Sequence, residues 1–219
     1  MKHARRAFTL IELLVVIAVI SLLVSIILPS LSRAKGLAKT VVCAANAKGI
    51  GTAMYIYAEE FNERYPLASN VGNWGEYVAG VTPSIYSWME QLFPYVEVKK
   101  LYVCPEKPNG SEYSYFLGTR AAWIDSMKYP DGPFFNPVIR SRIKYTSAYV
   151  LLGCTGRDFK GTYDDCDKDD YTQDCTGFPV HDKKVQTILF PDNHVKSYPG
   201  YVEGEMTFQY NKMVPWEEE

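Results

Sequence analysis

From Phe8 to Leu28 the chain reads FTLIELLVVIAVISLLVSIIL, apolar except for Thr9, Glu12, Ser21 and Ser25. At about 1.5 Å of rise per residue, a helix over this run spans roughly the hydrocarbon thickness of a bilayer. After Pro29 the pattern stays helical but turns amphipathic. Leu31, Ala34, Ala38, Val41 and Ala45 recur at three- and four-residue spacing, and Ile50, Met54, Tyr57 and Phe61 continue the stripe. Arg33, Lys35, Lys39 and Lys48 lie mostly off it, which predicts one face packed against a globular domain. Gly36, Gly49 and Gly51 each cost about 1 kcal/mol relative to Ala in a helix and permit either close packing or local melting. Tyr65-Pro66 ends the segment. A helix from Phe8 to about Phe61 would be roughly 80 Å long, too long for a small globular domain alone.

Beyond it the periods shorten. Ser87–Val96 (SWMEQLFPYV) predicts a short helix broken at Pro94, with Trp88, Leu92 and Phe93 in the core. Residues 105–142, rich in Pro, Gly and aromatics, predict loops with short strands. Tyr149–Gly153 predicts a buried strand. Gln186–Phe190 and His194–Tyr198 flank Pro191-Asp192-Asn193 as a β-hairpin, and Glu205–Tyr210 predicts a last strand. The fold class is α+β: a long N-terminal helix, half transmembrane and half amphipathic, on a small antiparallel sheet with long loops.

The 219 residues suit one domain plus an N-terminal extension and suffice for a real core. A net charge of -2 with no long basic stripe and no nucleic-acid motif excludes a polyanion-binding protein. The 17 tyrosines suit the margins of a β-rich core or a carbohydrate- or partner-binding surface. Cys43, Cys104, Cys154, Cys166 and Cys175 form no CxxC pair, which argues against a zinc ribbon or a thioredoxin-type site. Their scatter suits disulfides in an oxidising compartment, with at least one thiol left free or paired between chains.

Lys2, Arg5 and Arg6 give the apolar run a basic head, as in a cleaved secretory signal, a signal anchor or a prepilin leader. Glu12 discriminates among them. A carboxylate inside an apolar segment costs a few kcal/mol on insertion scales, so it calls for a partner or snorkels to the interface. Arg6-Ala7-Phe8-Thr9-Leu10-Ile11-Glu12 closely resembles the processing motif of type IV pilins and type II secretion pseudopilins. The resemblance implies that prepilin peptidase cuts between Ala7 and Phe8 and methylates Phe8. Glu12 would then meet the Phe8 amine of a neighbouring subunit, and Pro29 lies where pilin helices often kink. Ala7 departs from the family's usual Gly. The implied organisation is a leader at 1–7, a transmembrane and filament-core helix at 8–29, its amphipathic continuation at 30–64 and an extracytoplasmic head at 65–219. The implied partners are related pilin subunits, prepilin peptidase, the inner-membrane assembly machinery and the membrane. The implied location is a single-pass inner-membrane protein with its N-terminus inside, then a periplasmic or surface filament. Arg33, Lys35 and Lys39 weaken the charge bias, so this orientation rests on the resemblance and the cysteines. The implied function is a structural filament subunit, of pilus or secretion pseudopilus. The alternative is a membrane-tethered module recognising a glycan or protein. No nucleophile elbow, P-loop or HExxH sequence suggests an enzyme.

The stretch from Leu31 to Pro66, with Cys104-Pro105 in LYVCPEKPNG, resembles a subgroup of pseudopilin-like proteins. That resemblance implies a Cys43–Cys104 disulfide; two unpaired buried thiols are the alternative. Between Tyr163 and Cys175 lie six aspartates, a density of hard oxygen ligands that suits calcium. Asp165, Asp167 and Asp169 have the opening spacing of an EF-hand loop, but Asp170 replaces its turn glycine and Thr176 its last glutamate. Major pseudopilins often carry a structural calcium site; the other reading is a solvated acidic loop closed by Cys166–Cys175. His181 and LFPDNHVKSY resemble a C-terminal motif of many pilin-like proteins in which Asn193 would be Gly. This describes a hairpin with packed histidines rather than a catalytic pair.

Overall fold

The computed structural model describes residues 9–67, 74, 77–78, 85–106, 114–118, 121–122, 137–155, 181 and 185–213. The chain divides into two compact units, Met1–Ala38 and Lys39–Glu219. Helix α1 (Leu10–Glu60) begins in the first and ends in the second.

In the first unit every residue from Thr9 to Lys35 is exposed. Two serine hydroxyls of this segment are satisfied inside the helix, Ser25 Oγ donating to the Leu22 carbonyl (2.7 Å) and Ser30 Oγ to that of Ile27 (2.8 Å). Pro29 removes one backbone donor, yet α1 continues through it.

In the second unit the elements are β1 (Tyr77–Val78), β2 (Ile85–Tyr86), α2 (Trp88–Val96), a 3-10 turn at Lys99–Tyr102, β3 (Tyr115–Leu117), a 3-10 turn at Arg140–Arg142, β4 (Leu152–Cys154), β5 (Gln186–Leu189) and β6 (Val195–Tyr198). Strands β3-β4-β5-β6 form an antiparallel sheet in that order, and β1 pairs with β2 separately. The α+β, pilin-like arrangement expected from the sequence is therefore present.

Strands β3, β4 and β5 are buried on both faces, while β6 is largely exposed, and side chains alternate between the faces. Tyr115, Leu117, Leu152, Cys154 and Leu189 join Cys43, Ala47, Ile50, Ala53, Met54 and Ala58 of α1 with Trp88, Met89 and Leu92 of α2. Phe116, Val150, Ile188 and Phe190 instead meet Tyr198, Met206 and Phe208.

Four details differ from expectation. The predicted stripe packs only in its second half: Leu31, Ala34, Ala38, Val41 and Ala45 are exposed, whereas Ile50 and Met54 are fully buried. Cys43, Ala47 and Ala58 complete the buried face in place of the first half. At 100° per residue, Val41 and Ile50 lie on opposite sides of the helix, so α1 carries two apolar faces where the pattern suggested one. Helix α2 starts after its Ser87 cap but does not stop at Pro94. The Glu97 N–H closes on the Phe93 carbonyl (2.8 Å), beyond the donor that proline lacks. The strand placed at Tyr149–Gly153 lies at Leu152–Cys154. The strand expected at Glu205–Tyr210 reduces to one parallel bridge, Tyr149 with Thr207. Those residues cover the sheet's second face and lend it only two backbone bonds, Val150 N–H to the Thr207 carbonyl and Thr207 N–H to that of Ala148 (2.9 Å each).

Gly51 decides how closely α1 approaches the β5–β6 hairpin. A Cβ there would stand 2.5 Å from Asn193 Oδ1 and 2.8 Å from Leu189 Cδ2. The helix glycine therefore permits close packing at this point. Gly51→Val is expected to destabilise the detergent-solubilised chain by about 1–3 kcal/mol. Gly49→Ala, whose Cβ would meet only Leu101 Cδ2 at 3.3 Å, is expected to be neutral or mildly stabilising. Chemical denaturation checks both, and equal midpoints for the two variants would refute the close-packing role.

Candidate functional site

At the start of α1 the pattern Thr-x-x-Glu builds a reciprocal cap. The Glu12 N–H donates to Thr9 Oγ1 (3.2 Å), while Glu12 Oε2 accepts from the Thr9 N–H and from its hydroxyl (2.8 Å each). Glu12 thus has a partner within its own chain, one turn back, and the acidic group lies at the positive end of the helix dipole. Around it stands a run of exposed apolar side chains, Leu10 to Leu28, and α1 is long and apolar enough to cross a membrane. The structure places Glu12 and Pro29 on this helix; Ala7 and Phe8 lie outside the described residues.

The second concentration of chemistry is in the core of the head. Cys43 sits on the buried face of α1, Cys104 follows the 3-10 turn, Cys154 ends β4, and His181 bridges to Val185 just before β5. Their three sulfurs and one ring nitrogen all lie within 4.8 Å of one another, and all four residues are buried. The Cys43–Cys104 disulfide implied by resemblance is not formed here. Both are free thiols, as is Cys154.

Polar groups surround the cluster. His181 Nε2 faces Cys154 Sγ at 3.5 Å, Cys104 Sγ at 4.0 Å and Thr187 Oγ1 at 3.3 Å. His181 Nδ1 meets Glu106 Oε2 at 2.9 Å, and that carboxylate is itself only 5% exposed. The Thr187 N–H donates to Cys154 Sγ (3.1 Å). The Tyr115 hydroxyl stands 3.1 Å from both the sulfur and the carbonyl oxygen of Cys43. Burial keeps that phenol protonated, and therefore a donor. Hydrogen bonds from Cys154 and Cys43 hold the Cys104 thiol well below its ordinary range. Burial pushes the Cys154 thiol up. Burial pulls the His181 imidazole down, but its contacts with Cys104 and Cys43 prevail and raise it to about 10.

The other candidate residues fare differently. Asp165, Asp167, Asp169, Asp170, Cys166 and Cys175 lie outside the described residues. His194 stacks on Phe190 with centroids 4.2 Å apart and planes 5° from parallel. Its ring nitrogen and backbone N–H both engage Asp192, while Asn193 takes the left-handed turn position at φ 62°. His194 therefore closes the hairpin and stays apart from the thiol cluster. Sequence reasoning separated Cys154 from the other two thiols and treated His181 as packing. The usable signal was that these three cysteines border segments patterned as core, whereas Cys166 and Cys175 sit among aspartates.

Residues 2–28 match the family described as the prokaryotic N-terminal methylation motif, the hallmark of type IV pilin and pseudopilin substrates of prepilin peptidase. No curated protein and no solved structure gives a significant match.

His194→Ala removes one ring stack, worth about 0.5–1.5 kcal/mol. It should lower Tm by only a few degrees in a chain of this size and leave the free-thiol state of Cys43, Cys104 and Cys154 unchanged. Thermal melting with thiol counting checks this, and altered thiol reactivity would contradict the separation of hairpin and cluster.

Proposed function

We propose that the chain is a structural subunit of an extracytoplasmic filament of the type IV pilus or type II secretion class. It is cut after Ala7 by prepilin peptidase and assembled through α1. The observation that carries this reading is the coincidence of two features: the methylation motif over residues 2–28 and a helix whose described residues through Lys35 are all exposed within the chain. So large an apolar surface needs lipid before assembly, and the helices of other subunits after it.

The second apolar face of α1 supports the same reading. Val41 and Val42 are 68% and 47% exposed, although the other side of the helix is fully packed. A head tethered only to display a binding surface has no need of an apolar stripe there. A bundle of identical helices does.

The cap at Glu12 adds a second role for the carboxylate. It begins the helix in the single chain and, after cleavage, is available to the Phe8 amine of a neighbour. Intact mass and N-terminal peptide mass spectrometry from the native host should find N-methyl-Phe8 as the first residue. Retention of Met1, or a cut beyond the apolar run, would overturn the proposal and favour the tethered or secreted module. Glu12→Gln separates the two roles, because glutamine keeps the cap but drops the charge. Its expected outcome is normal membrane insertion with filament yield reduced as far as in Glu12→Ala. Wild-type yield of sheared filaments from Glu12→Gln would show that charge pairing is not needed.

A further inference from the structure

We propose that Cys43, Cys104, Cys154 and His181 hold a single structural zinc ion in a closed Cys3His site. Four facts carry this. The donor set is soft sulfur with one imidazole, the set that suits zinc rather than calcium or magnesium. The size fits one ion. With Zn–S of about 2.3 Å and Zn–N of about 2.0–2.1 Å, tetrahedral ligands stand roughly 3.6–3.8 Å apart. The four atoms here lie within 4.8 Å of one another, with Cys154 Sγ and His181 Nε2 at 3.5 Å. A two-iron cluster would divide its ligands between two metals and spread them further.

The surrounding groups are those that orient metal ligands. Glu106 at 2.9 Å accepts a hydrogen bond from the Nδ1–H of His181 and so leaves Nε2 facing the three sulfurs, the carboxylate–histidine–metal arrangement that fixes ring and tautomer. The Thr187 N–H donates to Cys154 Sγ, which offsets part of the negative charge of a three-thiolate site, and the Tyr115 hydroxyl, which donates to the Cys43 carbonyl, stands 3.1 Å from Cys43 Sγ. Thr187 Oγ1 also lies 3.3 Å from His181 Nε2, and zinc binding replaces that contact.

Burial completes the argument. A lone buried thiol is an ordinary small apolar group. Three of them around an imidazole held by a buried carboxylate form a polar cluster, and such a cluster is expensive unless its charges are neutralised. Binding displaces the thiol protons, so three thiolates and a neutral imidazole share one divalent cation. Four protein ligands leave no open position for water or substrate, so the ion is structural and not catalytic. It ties α1, β4 and the segments carrying Cys104 and His181 into one knot.

The test is elemental analysis of the full-length chain, purified in detergent without added metal or chelator, with mass mapping of its thiols. The expected result is about one zinc per chain, with Cys43, Cys104 and Cys154 all alkylatable once the protein is denatured. Cobalt exchanged into the site should give sulfur-to-cobalt charge transfer and the intense visible bands of tetrahedral coordination. Glu106→Gln leaves all four ligands in place and should weaken zinc 10- to 100-fold in competition with a chromophoric chelator. This keeps the test informative even if Cys154→Ser or His181→Ala fails to fold. A metal-free chain with a disulfide between any two of the three cysteines overturns the proposal in favour of an oxidised site. A metal-free chain with three free thiols and a colourless cobalt titration overturns it in favour of plain apolar packing. Iron or copper in place of zinc overturns the identity of the metal.

Discussion

The chain must satisfy a helix with more apolar surface than its own head can cover. Of the 51 residues of α1, only the face running from Cys43 through Ala47, Ile50 and Met54 to Ala58 is buried against the sheet. Small residues dominate that face, and Gly51 lets the backbone come within contact of Leu189 and Asn193. Close approach sets the core around Ile50 and Met54, each fully buried and contributing about 1.5–3 kcal/mol. The opposite side, with Val41 and Ala45, and the whole run from Leu10 to Leu28 are left uncovered. A fold can leave such a surface bare only where lipid or another chain replaces water.

Glu12 shows how one residue meets two solvents. Inside hydrocarbon a carboxylate needs donors, and Thr9 supplies two of them in the isolated chain. That local solution lowers the barrier to holding an acid in the membrane before any neighbour arrives. It also means that loss of the side chain is not by itself a sign of intersubunit contact, because the helix cap disappears as well.

The N-terminal segment was legible because its information is local: a basic head, a small residue, an aromatic, a fixed acid and an unbroken apolar run lie within 28 residues. Within the sheet the β5–β6 hairpin was legible, while the extent of β4 was not. YVLLG is apolar throughout because β4 and the residues leading into it are buried on both faces, and a run without alternation cannot mark its own ends. The first half of the stripe on α1 was misplaced for a related reason. Both faces are apolar there, and the packed one is carried by Cys43 and Ala47, which hydropathy alone ranks below Val41 and Leu31. The thiol cluster was invisible for a different cause. Its ligands come from four separated segments, so no spacing rule of the CxxC kind applies, and only the folded head brings them together.

The position of that cluster connects the head to the helix. Cys43 is the most N-terminal α1 residue in the core. A chain held by its apolar segment and loaded through its head would strain α1 first at this contact, since a helix peels from the end that is pulled. Dispersion contacts such as those of Ala47 are individually about 0.1–0.2 kcal/mol per atom pair and would yield one after another. A coordinate tie at Cys43 would change the order of failure, because the whole face from Cys43 to Ala58 would then have to give way together. Placed anywhere further along α1, the same tie would leave the first turns of the packed face free to peel.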